Sequence, residues 1–198
     1  VAAICSGATL SALPTTSNNG ITGAWAPALS NTTTTTYTFT PTAGQCATTT
    51  TLTITVNPNV VPTFNPVAAI CSGATAPVLP TTATNGITGT WSPATVSNTA
   101  TATYTFTPSA GQCATTATLT VTVNPNIAPT FTAVPAICSG ATLTALPTTS
   151  DNGITGTWAP ALSNTTTTTY TFTPTAGQCA TTTTLTITVN PNVVPTFN

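Results

Sequence analysis

The sequence contains no lysine, arginine, histidine or methionine, and its one acidic side chain is Asp151. General acid–base catalysis, activated nucleophiles and metal-bound water each need histidine, carboxylates, lysine or free thiolates held close together, and one aspartate cannot supply them. No catalytic residue, metal ligand set or cofactor site is therefore expected, and the chain reads as a non-enzyme. Without positive charge there is no electrostatic basis for gripping phosphates, which excludes a nucleic-acid partner and direct contact with an anionic membrane. Calcium-binding modules need several carboxylates, and lysine-dependent isopeptide cross-links cannot form. No apolar run reaches the roughly 18 residues that suggest a membrane-spanning helix. No signal peptide is recognisable. The chain starts at Val1 and stops at Asn198 in mid-pattern, as expected of a window from a longer array whose targeting segments lie elsewhere.

What is present suits pleated strands. Thr makes up about 30% of the chain, and Val, Ile, Tyr, Phe and Trp supply most of the bulky remainder. Eighteen Pro and twelve Gly break the sequence into short pieces, as in an all-β protein with many turns. Low-complexity polar tracts often stay unfolded. Here the apolar residues alternate with period two and the aromatics recur at fixed places, which points to buried faces instead.

The chain repeats itself about every 66 residues, with VAAICSGAT at Val1 and Val67 and VPAICSGAT at Val134. Over 65 positions the first and third copies differ at four: Ala2/Pro135, Ser11/Thr144, Asn18/Asp151 and Ala24/Thr157. The middle copy has drifted further and carries one extra residue between Trp91 and Tyr104. Within a unit, Tyr37 and Phe39 fall on one strand face, PTAGQ turns the chain, and Leu52, Ile54 and Val56 fall on one face of the next strand. The opposite faces are Thr, the pattern of a half-buried antiparallel hairpin. Asn-Gly at Asn19, Asn85 and Asn152 marks a second, tighter turn.

Each unit has two cysteines, Cys5 and Cys46, Cys71 and Cys113, Cys138 and Cys179, separated by 41, 42 and 41 positions. One disulfide within each repeat is the simplest pairing. A closed loop of that size contributes roughly 4 kcal/mol in the chain-entropy model, and a module of about 60 residues is marginal without such help. Disulfides imply an oxidising, extracellular setting, and zinc is disfavoured because CxxC spacing and His are absent. Gln45 beside Cys46 raises a thioester, but a disulfide uses the same sulfur. Asn31 and Asn164 begin N-glycosylation acceptor patterns, whereas Asn98 does not, so the match reads as compositional.

Trp25, Trp91 and Trp158 each follow the first cysteine by 20 positions. A Trp packed on a disulfide is a familiar core for a two-sheet sandwich, while an exposed Trp beside Pro is a platform for a sugar ring. The fold expected is thus a tandem array of small antiparallel immunoglobulin-like β-sandwiches, one disulfide per repeat, with strand order left open. The joints NPNVVPTFNP and NPNIAPTFTA are stiffened by Pro. Phe64, Phe131 and Phe197 are assigned to the first strand of the following module. The repeats then span 1–57, with its first strand missing, 58–124 and 125–190, and 191–198 is the first strand of a further repeat.

At ICSGATLSALPTTSNNGITGAW and YTFTPTAGQCATTTTLTITVNP the chain resembles tandem repeats of very large surface proteins of gliding Bacteroidota, including adhesins exported by the type IX secretion system. The resemblance covers the whole chain and implies an extracellular, cell-surface stalk or filament carrying an adhesive part. The residues agree with a mechanical role, and three modules of about 30–40 Å make a rod of about 100 Å. The lack of Lys and Arg also removes trypsin-type cleavage sites and makes the surface insensitive to salt. The partners expected are neighbouring repeats of the same chain. An alternative is a self-assembling filament, in which the spare VPTF strand pairs with an identical chain. A third reading is a glycan- or ice-binding repeat using the Trp or the ordered Thr hydroxyls.

Overall fold

The computed structural model describes residues 2–197; Val1 and Asn198, the outer limits expected for the first repeat and the trailing strand, lie outside them. Among the described residues all regular structure is β. Each repeat builds the same five strands. The first has β1 (Ile4–Cys5), β2 (Gly23–Ala26), β3 (Thr35–Pro41), β4 (Thr50–Ile54) and β5 (Val56–Asn57). The second has β6 (Ile70–Cys71), β7 (Gly89–Ser92), β8 (Ala102–Pro108), β9 (Ala117–Val121) and β10 (Val123–Asn124). The third has β11 (Ile137–Cys138), β12 (Gly156–Ala159), β13 (Thr168–Pro174), β14 (Thr183–Ile187) and β15 (Val189–Asn190).

In every repeat the middle three strands form one sheet, ordered β2–β3–β4, β7–β8–β9 and β12–β13–β14, and the first and last strands form a two-stranded sheet. The larger sheets are antiparallel, with Trp25 opposite Phe39 and Tyr37 opposite Leu52. The small pairs are parallel, Ile4 beside Val56 and Cys5 beside Asn57. The result is sandwich-like and all-β.

Alternation explains the strands. Along β3, Tyr37 and Phe39 are buried while Thr36 and Thr40 are exposed. On the wet face the hydroxyls of Thr36 and Thr53 meet across the sheet at 2.8 Å, as do those of Thr169 and Thr186. The core of the third repeat gathers Leu146, Tyr170 and Ile187, with Val134, Leu143, Trp158 and Leu185 packed against it. Each such side chain contributes about 1.5–3 kcal/mol when fully buried. The Tyr170 hydroxyl is satisfied inside the core, accepting from Ser163 N at 2.9 Å.

Val56 departs from the single strand expected over Leu52–Val56. It leaves the larger sheet after Ile54 and joins β1 instead. The Thr34 hydroxyl bridges this switch, accepting from Val56 N at 2.9 Å and donating to Val56 O at 3.3 Å.

The chain divides into two compact units, each drawing on the middle repeat: unit 1 is Val1–Pro66, Val78–Thr95 and Thr103–Leu119, and unit 2 is Val67–Pro77, Val96–Ala102 and Thr120–Asn198. Each is described by itself below.

One glycine per repeat is dictated by packing. A Cβ on Gly156 would meet Phe172 Cζ at 2.6 Å and the Thr173 carbonyl oxygen closer still. The Phe ring lies across a bare stretch of strand. Gly156→Ala is expected to destabilise the protein by about 1–3 kcal/mol, the usual cost of overpacking. Urea unfolding followed by near-UV circular dichroism checks this; an unchanged midpoint contradicts the packing described.

Candidate functional site

The structural feature repeated with the most side-chain investment is the joint between successive repeats. Unit 1 contains one joint and unit 2 another.

In unit 1 the chain leaves the first repeat at Asn57, where Asn59 Nδ2 donates to Ser6 O at 3.0 Å and fixes the direction of exit. Val60 then pairs in parallel with Ala114 of the next repeat, its N–H donating to Cys113 O at 2.8 Å and its carbonyl accepting from Thr115 N at 3.0 Å. Further along, Asn85 of the Asn-Gly turn donates through Nδ2 to Val61 O at 2.8 Å, and Thr84 N donates to Thr63 O at 2.8 Å. Pro62 is buried. The arm ends with the Phe64 ring 4.7 Å from Trp91 and 4.8 Å from Phe106, completing a three-ring cluster.

Unit 2 reproduces the arrangement. Ile127 N donates to Cys179 O at 2.8 Å, Asn152 Nδ2 donates to Ala128 O at 2.9 Å, and Phe131 lies 4.7 Å from both Trp158 and Phe172. Phe64 and Phe131 therefore rest on the following repeat, in arms held by an isolated bridge and side-chain clamps. Phe197, the third of the set, is 93% exposed.

The cysteines seal these joints. The bonds are Cys5–Cys113 and Cys71–Cys179, each spanning 108 positions, and Cys46 and Cys138 are free and exposed. This corrects the pairing within each repeat expected from the sequence, in which Cys5 joins Cys46, Cys71 joins Cys113 and Cys138 joins Cys179. The reason is the path of the chain. Cys5 sits beside Asn57, at the exit of its repeat, whereas Cys113 sits beside the Val60–Ala114 bridge, where the next repeat receives the arm. A short arm from exit to receiving turn brings the first cysteine of one repeat alongside the second cysteine of the next. In the chain-entropy model each bond contributes roughly 4–5 kcal/mol. The disulfides place the protein in a non-reducing compartment. No helix among the described residues is long and apolar enough to cross a membrane.

The other singled-out residues take structural places. The indole N–H groups of Trp25, Trp91 and Trp158 donate to Pro14, Pro80 and Pro147 carbonyls at 2.8–2.9 Å, and their rings meet Phe39, Phe106 and Phe172. Asn31 and Asn164, the glycosylation-pattern residues, use Nδ2 to hold Ala8 O and Ala141 O at 3.0 Å, and Asn98 holds Ala74 O in the same way. The side chain is structural in all three copies.

Two sets of clamps were not foreseen. Gln45, Gln112 and Gln178, each just before the second cysteine, bind both backbone groups of Thr22, Thr88 and Thr155, so they hold the receiving turn to its own sheet. The Asn of each Asn-Gly turn in the second and third repeats grips the arm. Their recurrence beside Cys and Gly was the available signal, but it does not say what the amide reaches.

Phe131→Ala is expected to destabilise unit 2 by about 2–4 kcal/mol, toward the lower end of buried Phe→Ala losses because the ring is half-buried. Phe197→Ala, at an exposed position, should stay within about 0.5 kcal/mol of the parent. Equilibrium unfolding of both variants checks the contrast, and equal losses contradict it. No protein-family model matches the chain, and no curated protein matches it.

Proposed function

We propose that the chain is a non-catalytic, extracellular structural repeat: a tandem array of immunoglobulin-like β-sandwiches forming the stiff stalk of a large bacterial cell-surface adhesin. The observation that carries this reading is the lacing of successive repeats by Cys5–Cys113 and Cys71–Cys179. A disulfide inside a module protects that module alone. One that runs from a repeat to its successor gives tension a covalent route past the folded strands.

Other features support the same role. The Asn and Gln side chains that recur in every repeat go into joints and turns, and the Trp and Phe rings go into clusters. Trp91 is only 8% exposed, which leaves little ring face for a sugar. The resemblance to repeats of gliding Bacteroidota surface proteins supports a cell-surface setting, export by the type IX route and a part in adhesion or gliding motility.

The lacing has a mechanical signature. Between Cys5 and Cys179 the backbone runs 174 positions, but the shortest covalent route crosses both disulfides and only the 42 positions from Cys71 to Cys113. At about 3.4 Å per extended residue, the oxidised chain should stop about 450 Å short of the reduced chain when pulled from its ends. Single-molecule force spectroscopy before and after reduction measures this. Equal extensions contradict a role for the two disulfides in carrying tension.

A further inference from the structure

We propose that Asn85 and Asn152 are latent self-modification sites that the seated arm keeps locked. When the arm lifts, each asparagine closes onto the glycine that follows it, loses ammonia, and reopens as aspartate or isoaspartate, which no longer grips the arm. The site, the lock and the consequence are all within the two filled joints.

Asparagine is among the thermally labile side chains, and a following glycine makes it most so, because no Cβ obstructs the glycine nitrogen or limits its backbone. Asn85 precedes Gly86 and Asn152 precedes Gly153. The glycine N–H gives up its proton, the nitrogen bonds to the asparagine Cγ, and the Cγ–Nδ2 bond breaks as ammonia leaves. Water then opens the cyclic imide. Cleavage of the new N–Cγ bond gives aspartate, and cleavage of the original peptide bond gives isoaspartate. Water is the one co-reactant, and nothing is oxidised or reduced. Both turns are exposed, so water reaches them.

The lock acts on the electrophile. In unit 1, Asn85 Nδ2 donates to Val61 O at 2.8 Å, and its Oδ1 accepts from Thr63 N at 3.4 Å. In unit 2, Asn152 Nδ2 donates to Ala128 O at 2.9 Å, while its Oδ1 accepts from Thr130 N at 3.2 Å and from Ser150 Oγ at 2.7 Å. The arm therefore holds the carboxamide at both ends, and turning Cγ toward the glycine nitrogen breaks those bonds. The nucleophile is held by its own turn: Gly86 N donates to Ala83 O and Gly153 N to Ser150 O, each at 2.9 Å. That second bond survives when the arm leaves, so the arm decides when the carboxamide is free.

The arm is built to open locally. It meets the following repeat through an isolated bridge, and Val60 and Ile127 at that bridge are 46% and 51% exposed. Few buried contacts and exposed backbone bonds are the marks of a segment that opens ahead of the whole fold. The product cannot restore the clamp. An ionised carboxylate only accepts hydrogen bonds, so it has no proton to give Val61 O or Ala128 O, and isoaspartate also lengthens the backbone of the turn. A reversible opening thus becomes a permanent one. The inference is independent of the stalk reading, because thermal opening frees the carboxamide as tension would.

The test holds the oxidised full chain, its free thiols alkylated, in mildly alkaline buffer and follows conversion at each site by peptide mass spectrometry. Synthetic peptides 81–90 and 148–157 give the unlocked rates. Each site should convert at least about tenfold more slowly in the chain than in its peptide. Phe131→Ala should speed Asn152 by about tenfold or more and leave Asn85 at the parent rate, and Phe64→Ala should do the reverse. Phe131→Leu, which keeps an apolar side chain in the cluster, should move Asn152 the same way by a smaller factor. Asn152→Asp, standing for the product, should speed hydrogen exchange at Asp151 N–H, which donates to Thr130 O of the arm at 2.8 Å. Conversion of the parent chain at the peptide rate would overturn the proposal, as would arm variants that leave the rates unchanged or speed both sites alike. Parent-like exchange in Asn152→Asp would overturn the claim that the product releases the arm.

Discussion

The fold depends on the arm that enters each following repeat, 58–64 and 125–131, which the sequence assigns to that repeat and which packs there. A module of this size has few apolar side chains, and its three-stranded sheet leaves the Trp–Phe contact open on one side. The entering arm covers it. Phe64 does this for Trp91 and Phe106, and Phe131 does it for Trp158 and Phe172. The cross-repeat disulfide then fixes what the arm has arranged, holding the exit of one repeat to the receiving turn of the next. Stability is thus a property of neighbouring pairs of repeats, as nearest-neighbour coupling in repeat arrays would have it.

That dependence accounts for residues that otherwise look arbitrary in so uniform a background. Gln112 secures the receiving turn, Asn85 holds the arm, and Asn59 sets its departure. Each is an uncharged amide able to donate and accept at once, which suits two backbone groups presented side by side. The bare strand at Gly89 lets Phe106 lie flat enough for Phe64 to meet it. The Thr faces, by contrast, satisfy one another across the sheet, as Thr36 does with Thr53 and Thr169 with Thr186.

Much of this was legible in the sequence because it is local. The TYTFT alternation gave β3, β8 and β13 and their buried Tyr and Phe, and the repeat itself predicted three copies of one unit. The disulfide pairing was not legible. In near-identical repeats Cys5 has chemically equivalent partners at Cys46 and Cys113, and separation along the chain favours the nearer one. What decides is that the two cysteines of a repeat serve different ends of it, one at the exit beside Asn57 and one at the turn that meets Val60. The switch of Val56 out of the hairpin, which creates that exit, leaves no break in the apolar alternation and so gives no warning.

The pairing itself is the most direct test of this account. Trypsin has no site in the chain, but chymotrypsin cuts at the aromatics between the cysteines, and the middle repeat's TPSAGQC around Cys113 differs from the TPTAGQC around Cys46 and Cys179. Mass spectrometry of the monomeric oxidised chain, with free thiols alkylated before digestion, therefore identifies the partner of Cys113 without ambiguity. The account predicts Cys5 in that linked peptide and an alkylated Cys138. Cys71 in its place would mean that each repeat closes on itself, and would contradict the lacing.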